Sequence, residues 1–141
     1  MTPFHAYIES VRHKGFSWGD HDCITFANNA CALQIGHGFA DEFLGKYETA
    51  KGALLTYRRW LKSNDCNNLA DAVDSRLSRL STNMPPIGSI IAEPFKNKDG
   101  VLPLQFGVSL GRLCGFVGKK GLVFARPSDR MMFWSVQSAR S

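Results

Sequence analysis

The chain has 141 residues, 44% of them hydrophobic and 21% charged, with a formal net charge of +5. That balance fits one globular domain spanning 1–141 with a sizeable core, and it excludes disordered and low-complexity classes. No apolar run approaches the roughly 20 residues of a membrane span, the first residues lack the basic and apolar parts of a secretory signal, and four scattered cysteines without a Cys-x-x-Cys pair speak against a zinc site or disulfide scaffold.

Thr2 followed by Pro3 predicts a helix N-cap with proline at the first helical position. Phe4, Tyr7, Ile8 and Val11 recur at helical spacing, and Gly15 ends the element, leaving His5 and His13 on the solvent side. An aromatic-rich loop, Phe16-Ser17-Trp18-Gly19-Asp20-His21-Asp22, follows. Asp22 is placed to cap a second helix in which Cys23 is the first residue. Ile24, Ala27 and Cys31, with Phe26, Ala30 and Leu33, give that helix its apolar face, and Gly36 closes it.

A glycine-punctuated connector, His37 to Tyr47, leads to Thr49, which caps a third helix with Ala53, Leu54, Tyr57, Trp60 and Leu61 as its stripe. After a turn at Ser63–Asn67, Asn67 or Asn68 caps a fourth helix carrying Leu69, Val73, Leu77 and Leu80. Pro85-Pro86 then changes the character of the chain. Strands are predicted at Ser89–Glu93, Leu104–Leu110, Leu113–Val117, Leu122–Arg126 and Met131–Val136, with an exposed loop at Lys96–Gly100 and a frayed tail at Gln137–Ser141. Helices first and a meander after predict an α+β domain, with N-terminal helices packed on a C-terminal antiparallel sheet.

Two readings of Cys23 compete. The positive end of a helix dipole favours the nucleophilic thiolate, while a small buried thiol can also simply open a helix. His21 is the candidate base, although residues two apart on a helix do not face each other; its plainer role is to fix the loop. Trp18 reads as a core anchor or a cleft wall. Phe133 and Trp134 alternate faces, so one is expected in the core and the other free for a partner or cleft. The excess charge lies entirely in residues 84–141, with eight Lys/Arg against three Asp/Glu, while residues 1–83 hold nine of each. Such a half can dock an acidic protein or a polyanion. With no basic run longer than two residues, nucleic acid is the weakest guess.

The aromatic-x-Trp-Gly-x-x-Asp-Cys loop, the cysteine opening a helix and the following antiparallel sheet resemble the NlpC-type papain-like cysteine peptidase superfamily. More closely, the chain resembles a phage-borne branch found among tail-assembly and tail-tip proteins. The Gly45-Lys46-Tyr47 turn, a helical insert, the strand Phe106-Gly107-Val108-Ser109-Leu110-Gly111 and a late aromatic strand around Phe133-Trp134 complete the pattern. The resemblance implies that Cys23 stands at the nucleophile position and that Trp18 and Asp22 border a substrate site. The histidine position of the family falls on Gln105, and the four histidines here all precede residue 40. Glutamine carries no proton at neutral pH, and losing general acid–base help costs roughly 10²–10⁴-fold in rate.

The expectation is therefore a virion protein of the phage tail with a papain-like fold, catalytically weak or inactive, made in the host cytoplasm and bound to other tail proteins. The alternative is an active cysteine-dependent peptidoglycan endopeptidase with His21 as base. No metal or organic cofactor is implied by any spacing.

Overall fold

Side chains start the helices as their residue types require. In the computed structural model, which describes residues 2–95 and 102–136, Thr2, Asp22, Thr49 and Asn68 each accept a hydrogen bond from a backbone N–H three residues on. These are the N-caps of α1 (Pro3–Val11), α2 (Cys23–Ile35), α3 (Ala50–Ser63) and α4 (Leu69–Asp74). Gly36 closes α2 at φ +88°, a left-handed conformation that glycine adopts without strain. A single 3-10 turn at Asp41–Phe43 interrupts the connector between α2 and α3.

Among the described residues, six strands form one antiparallel sheet: β1 (Ser78–Leu80), β2 (Ile90–Pro94), β3 (Leu104–Ser109), β4 (Cys114–Val117), β5 (Leu122–Ala125) and β6 (Met132–Ser135). Their spatial order is β1-β6-β2-β3-β4-β5. The chain is thus α+β, with an open antiparallel sheet. Five strands lie within a residue or so of their expected positions. The expected loop at 96–100 and the tail at 137–141 lie outside the described residues.

Three expectations need correction. The fourth helix stops at Asp74 rather than running on through Leu80. Arg76, two residues later, sends its guanidinium to the Glu42 carboxylate at 2.6 and 2.7 Å, to Asn64 Oδ1 at 2.8 Å and to the Phe39 carbonyl at 3.1 Å. Residues 78–80 then pair with 133–135 as β1. The helix-like spacing of Leu77 and Leu80 gives way to an ion pair between Arg79 and Asp74, which also accepts from the Trp134 indole at 2.7 Å. Secondly, the sheet is not a simple meander. β2 to β5 follow one another, but β6 returns across the sheet to sit between β1 and β2. Thirdly, Phe133 and Trp134 face opposite sides, yet both are buried.

α2 is the centre of the molecule. Eight of its residues are buried, among them Ile24, Phe26, Ala27, Ala30 and Cys31 with no exposed surface. It packs on β3, where Leu104, Phe106 and Val108 join the same cluster as α2, α1 and Trp134. Alternation turns the intervening residues of β3 away from α2. There Ile91, Cys114, Phe116 and Phe133 make a second, smaller cluster on the far face. Gly107 is part of that alternation: a Cβ on it would meet the Gly115 carbonyl and the Phe116 ring. Gly107→Ala should therefore destabilise the fold by about 2 kcal/mol, as overpacking does. Denaturant melts of wild type and variant check this, and an unchanged midpoint would contradict the packing described.

Candidate functional site

The loop leading to Cys23 is held at both ends by backbone bonds. Ser17 and His21 exchange hydrogen bonds of 3.1 and 2.8 Å in an isolated bridge, and the Phe16 N–H donates to the Gly118 carbonyl at 3.0 Å. Gly19 takes φ +80° and lies so close to the Tyr47 carbonyl that a side chain there would collide with it. Trp18 is half-buried, edge-on to Phe16 at 4.8 Å and to Tyr47 at 6.4 Å between ring centroids. It packs against the core cluster. The glycine and the tryptophan of the motif thus both seat the loop on the connector.

Asp22 fastens these parts together. Its Oδ1 accepts from the Thr25 N–H at 2.9 Å, the helix cap. Its Oδ2 accepts from the Gly19 N–H at 2.9 Å and from the Tyr47 hydroxyl at 2.6 Å. The side chain is 1% exposed, so three donors replace the water that a buried carboxylate needs. Burial, followed by the hydrogen bond to Asp22, raises the Tyr47 hydroxyl well above its ordinary pKa. Tyr47 therefore stays protonated and donating. Tyr47→Phe leaves Asp22 with two donors and should cost about 2 kcal/mol, the usual scale for a hydrogen bond to a charged group, measured by chemical denaturation.

Cys23 lies beneath this network, 5% exposed. Burial lifts its thiol from 9.0 to about 12, with the Asp22 carboxylate adding to the rise, against opposing backbone hydrogen bonds from Phe106, Ile24 and Cys23 itself. A helix dipole contributes roughly 0.3–1 kcal/mol, under one pKa unit, so desolvation wins. Of the two readings of Cys23, this burial favours the small buried thiol that opens a helix over the poised thiolate. Cys31 and Cys114 are likewise buried, with thiols pushed up to about 12 and about 11 chiefly by desolvation.

The other candidates are not gathered at the sulfur. Gln105 pairs with Glu93 in the β2–β3 ladder, which puts it on the Ile91 and Phe116 face of the sheet. α2 and Cys23 belong to the opposite face. His21 is 1% exposed, with its ring edge against Phe26 at 5.8 Å, and its Nε2 has no hydrogen-bond partner. His5, His13 and His37 are exposed. Among the described residues, no group of three or more His, Cys, Asp or Glu is arranged to hold a metal ion, and no helix is long and apolar enough to cross a membrane.

A family model described as a domain of unknown function, DUF6950, matches residues 1–136. The chain belongs to the DUF6950 family. No curated protein and no solved structure matches it. In this DUF6950 domain the residue that sequence reasoning missed is Tyr47, which donates to Asp22 from the connector. Tyr47 was visible only as an aromatic after a glycine turn, and nothing local marks it as a donor to residue 22.

Burial first, then the nearby Lys14 charge, lowers the pKa of His21 below its ordinary 6.5. The unfolded chain then binds a proton that the folded chain refuses, so stability rises with pH across this window. It should be complete above about pH 6.5 and decline as pH falls below it. His21→Phe should keep the contact with Phe26 and flatten the decline between about pH 6.5 and 5, as thermal melts across that range would read. An unaltered slope would assign the titration to another group.

Proposed function

We propose that this DUF6950 chain is an NlpC-type papain-like domain without peptidase activity that serves as a structural protein of a phage tail, at the tail tip or in tail assembly. The observation that carries the inactive part is the setting of Cys23: buried, which raises its thiol pKa, and without a hydrogen bond to a histidine among the described residues, with the histidine position of the resembled family held by Gln105 on the other face of the sheet. A cysteine peptidase needs a base to form its thiolate and an acid to protonate the leaving amine. The Trp-Gly-x-x-Asp-Cys motif has a sufficient structural use here, because Gly19, Asp22 and Tyr47 lock the loop to the helix. The tail assignment rests on the order of the loop, helical insert and sheet, as in the resembled phage branch.

The competing reading is an active peptidoglycan endopeptidase, and the unpartnered Nε2 of His21 is the observation in its favour. One set of measurements separates the two. In a Cys66→Ser background, which removes the one cysteine that is not buried, Cys23 should react with iodoacetamide far more slowly than free cysteine and only as fast as the fold opens. Purified protein should release no more soluble fragments from bacterial sacculi than Cys23→Ala. Sacculus digestion that Cys23→Ala abolishes would establish the endopeptidase instead. For the tail role, deleting the coding sequence from a phage or prophage that carries it should leave filled heads with absent or defective tails under electron microscopy. Normal tails would sink that assignment.

A further inference from the structure

We propose that the free edge of β5 is a docking site for an extended, acidic segment of a partner protein, which adds to the sheet as a seventh strand. β5 is, with β1, one of the two edge strands of the sheet. Its first outward-facing group is already used in this way. The Leu122 N–H points away from β4 and donates to the Arg12 carbonyl at 2.9 Å, so the chain after α1 covers the beginning of the edge. Antiparallel pairing alternates inward and outward residues. With Val123 and Ala125 bonded toward β4, the N–H and C=O of Phe124 face outward, and among the described residues neither the Arg12 segment nor any other backbone pairs with them.

Uncovered backbone of this kind is a template for strand addition. The side chains suit it too. Val123 and Phe124 lie on opposite faces of the strand and are 55% and 43% exposed, among the large apolar residues most open to solvent. An incoming strand can cover both.

Charge selects the occupant. A cleft of about 350 Å³ runs along this edge, lined by Arg12, His13, Lys120, Gly121, Leu122, Val123 and Phe124. Its lining has two fixed positive charges and no carboxylate. Lys14 and Lys119 adjoin it in the chain. Nearby acids are Glu9, which approaches Arg12 only at 3.9 Å, and Asp20, which is paired with Lys14 at 3.0 Å. A strand bearing glutamates or aspartates on one side satisfies Arg12 and Lys120 while its backbone pairs with Phe124. The cleft includes no residue of the Cys23 network, and the proposal holds whether or not Cys23 is catalytic.

The test uses the full chain and a short synthetic peptide alternating glutamate with valine, set against its lysine counterpart. Fluorescence anisotropy should show the glutamate peptide binding at least tenfold more tightly than the lysine one, with affinity falling as salt rises. Hydrogen exchange at the Phe124 amide should slow on binding. Phe124→Pro removes the outward donor together with the exposed ring and leaves the β4–β5 ladder bonds in place, so it should melt cooperatively and bind at least tenfold more weakly, whereas Phe124→Ala, which loses the ring and keeps the donor, should weaken binding less. If that variant fails to fold, the double variant Arg12→Glu with Lys120→Glu gives the same readout from surface positions. Equal binding of both peptides, no binding at millimolar concentration, or unchanged Phe124 exchange in the bound state would overturn the proposal. So would preferential binding of a single-stranded oligonucleotide, or self-association that Phe124→Pro abolishes, which would make the occupant a polynucleotide or a second copy.

Discussion

Asp22 is the point at which three separate stretches of the chain meet. Its carboxylate caps α2 through Thr25, fixes the turn through Gly19 and reaches the connector through the Tyr47 hydroxyl. A buried carboxylate without donors costs several kcal/mol, so burying Asp22 draws on donors from the loop, the helix start and the connector together. That requirement explains the neighbouring residues. Gly19 allows the chain to turn with positive φ against the Tyr47 carbonyl, and Trp18 covers the joint.

The same arrangement sets the chemistry of Cys23. The helix dipole and the backbone amides pull its thiol toward ionisation, but the packing that secures Asp22 also removes the water a thiolate would need. The neighbouring carboxylate pushes in the same direction as the burial. A motif that in an open cleft would favour a thiolate here holds a thiol whose pKa is raised by burial. The determining variable is solvent access.

Legibility from sequence follows the range of each interaction. The caps at Thr2, Asp22, Thr49 and Asn68 and the stop at Gly36 are local, with side chain and partner within a few residues, and each helix start could be read from them. β1 could not. Leu77 and Leu80 keep helical spacing, and what turns them into a strand entrance is a set of partners far along the chain: Glu42 for Arg76, and Trp134 for Asp74. For the site, the loop and its cysteine stood out, whereas the burial of that cysteine depends on Phe106 and Tyr47 across the fold. Gln105 could be matched to a position by pattern, but the face it occupies depends on β2–β3 register, which no local residue encodes.

The place of β6 bears on how the molecule is made. A chain synthesised from its N-terminus produces β1 and β2 long before residues 132–135, yet those residues are the piece that joins the two. Until they emerge, β1 has no ladder partner, one side of β2 is open, and the pocket for the Trp134 ring stands empty. The contacts that close the sheet are therefore among the most distant in sequence, and loop-closure entropy makes such contacts slow to form. The nascent domain passes through a period with bare edges on both β1 and β2, when stray pairing with other chains is easiest. Completion of this sheet is governed by its last strand.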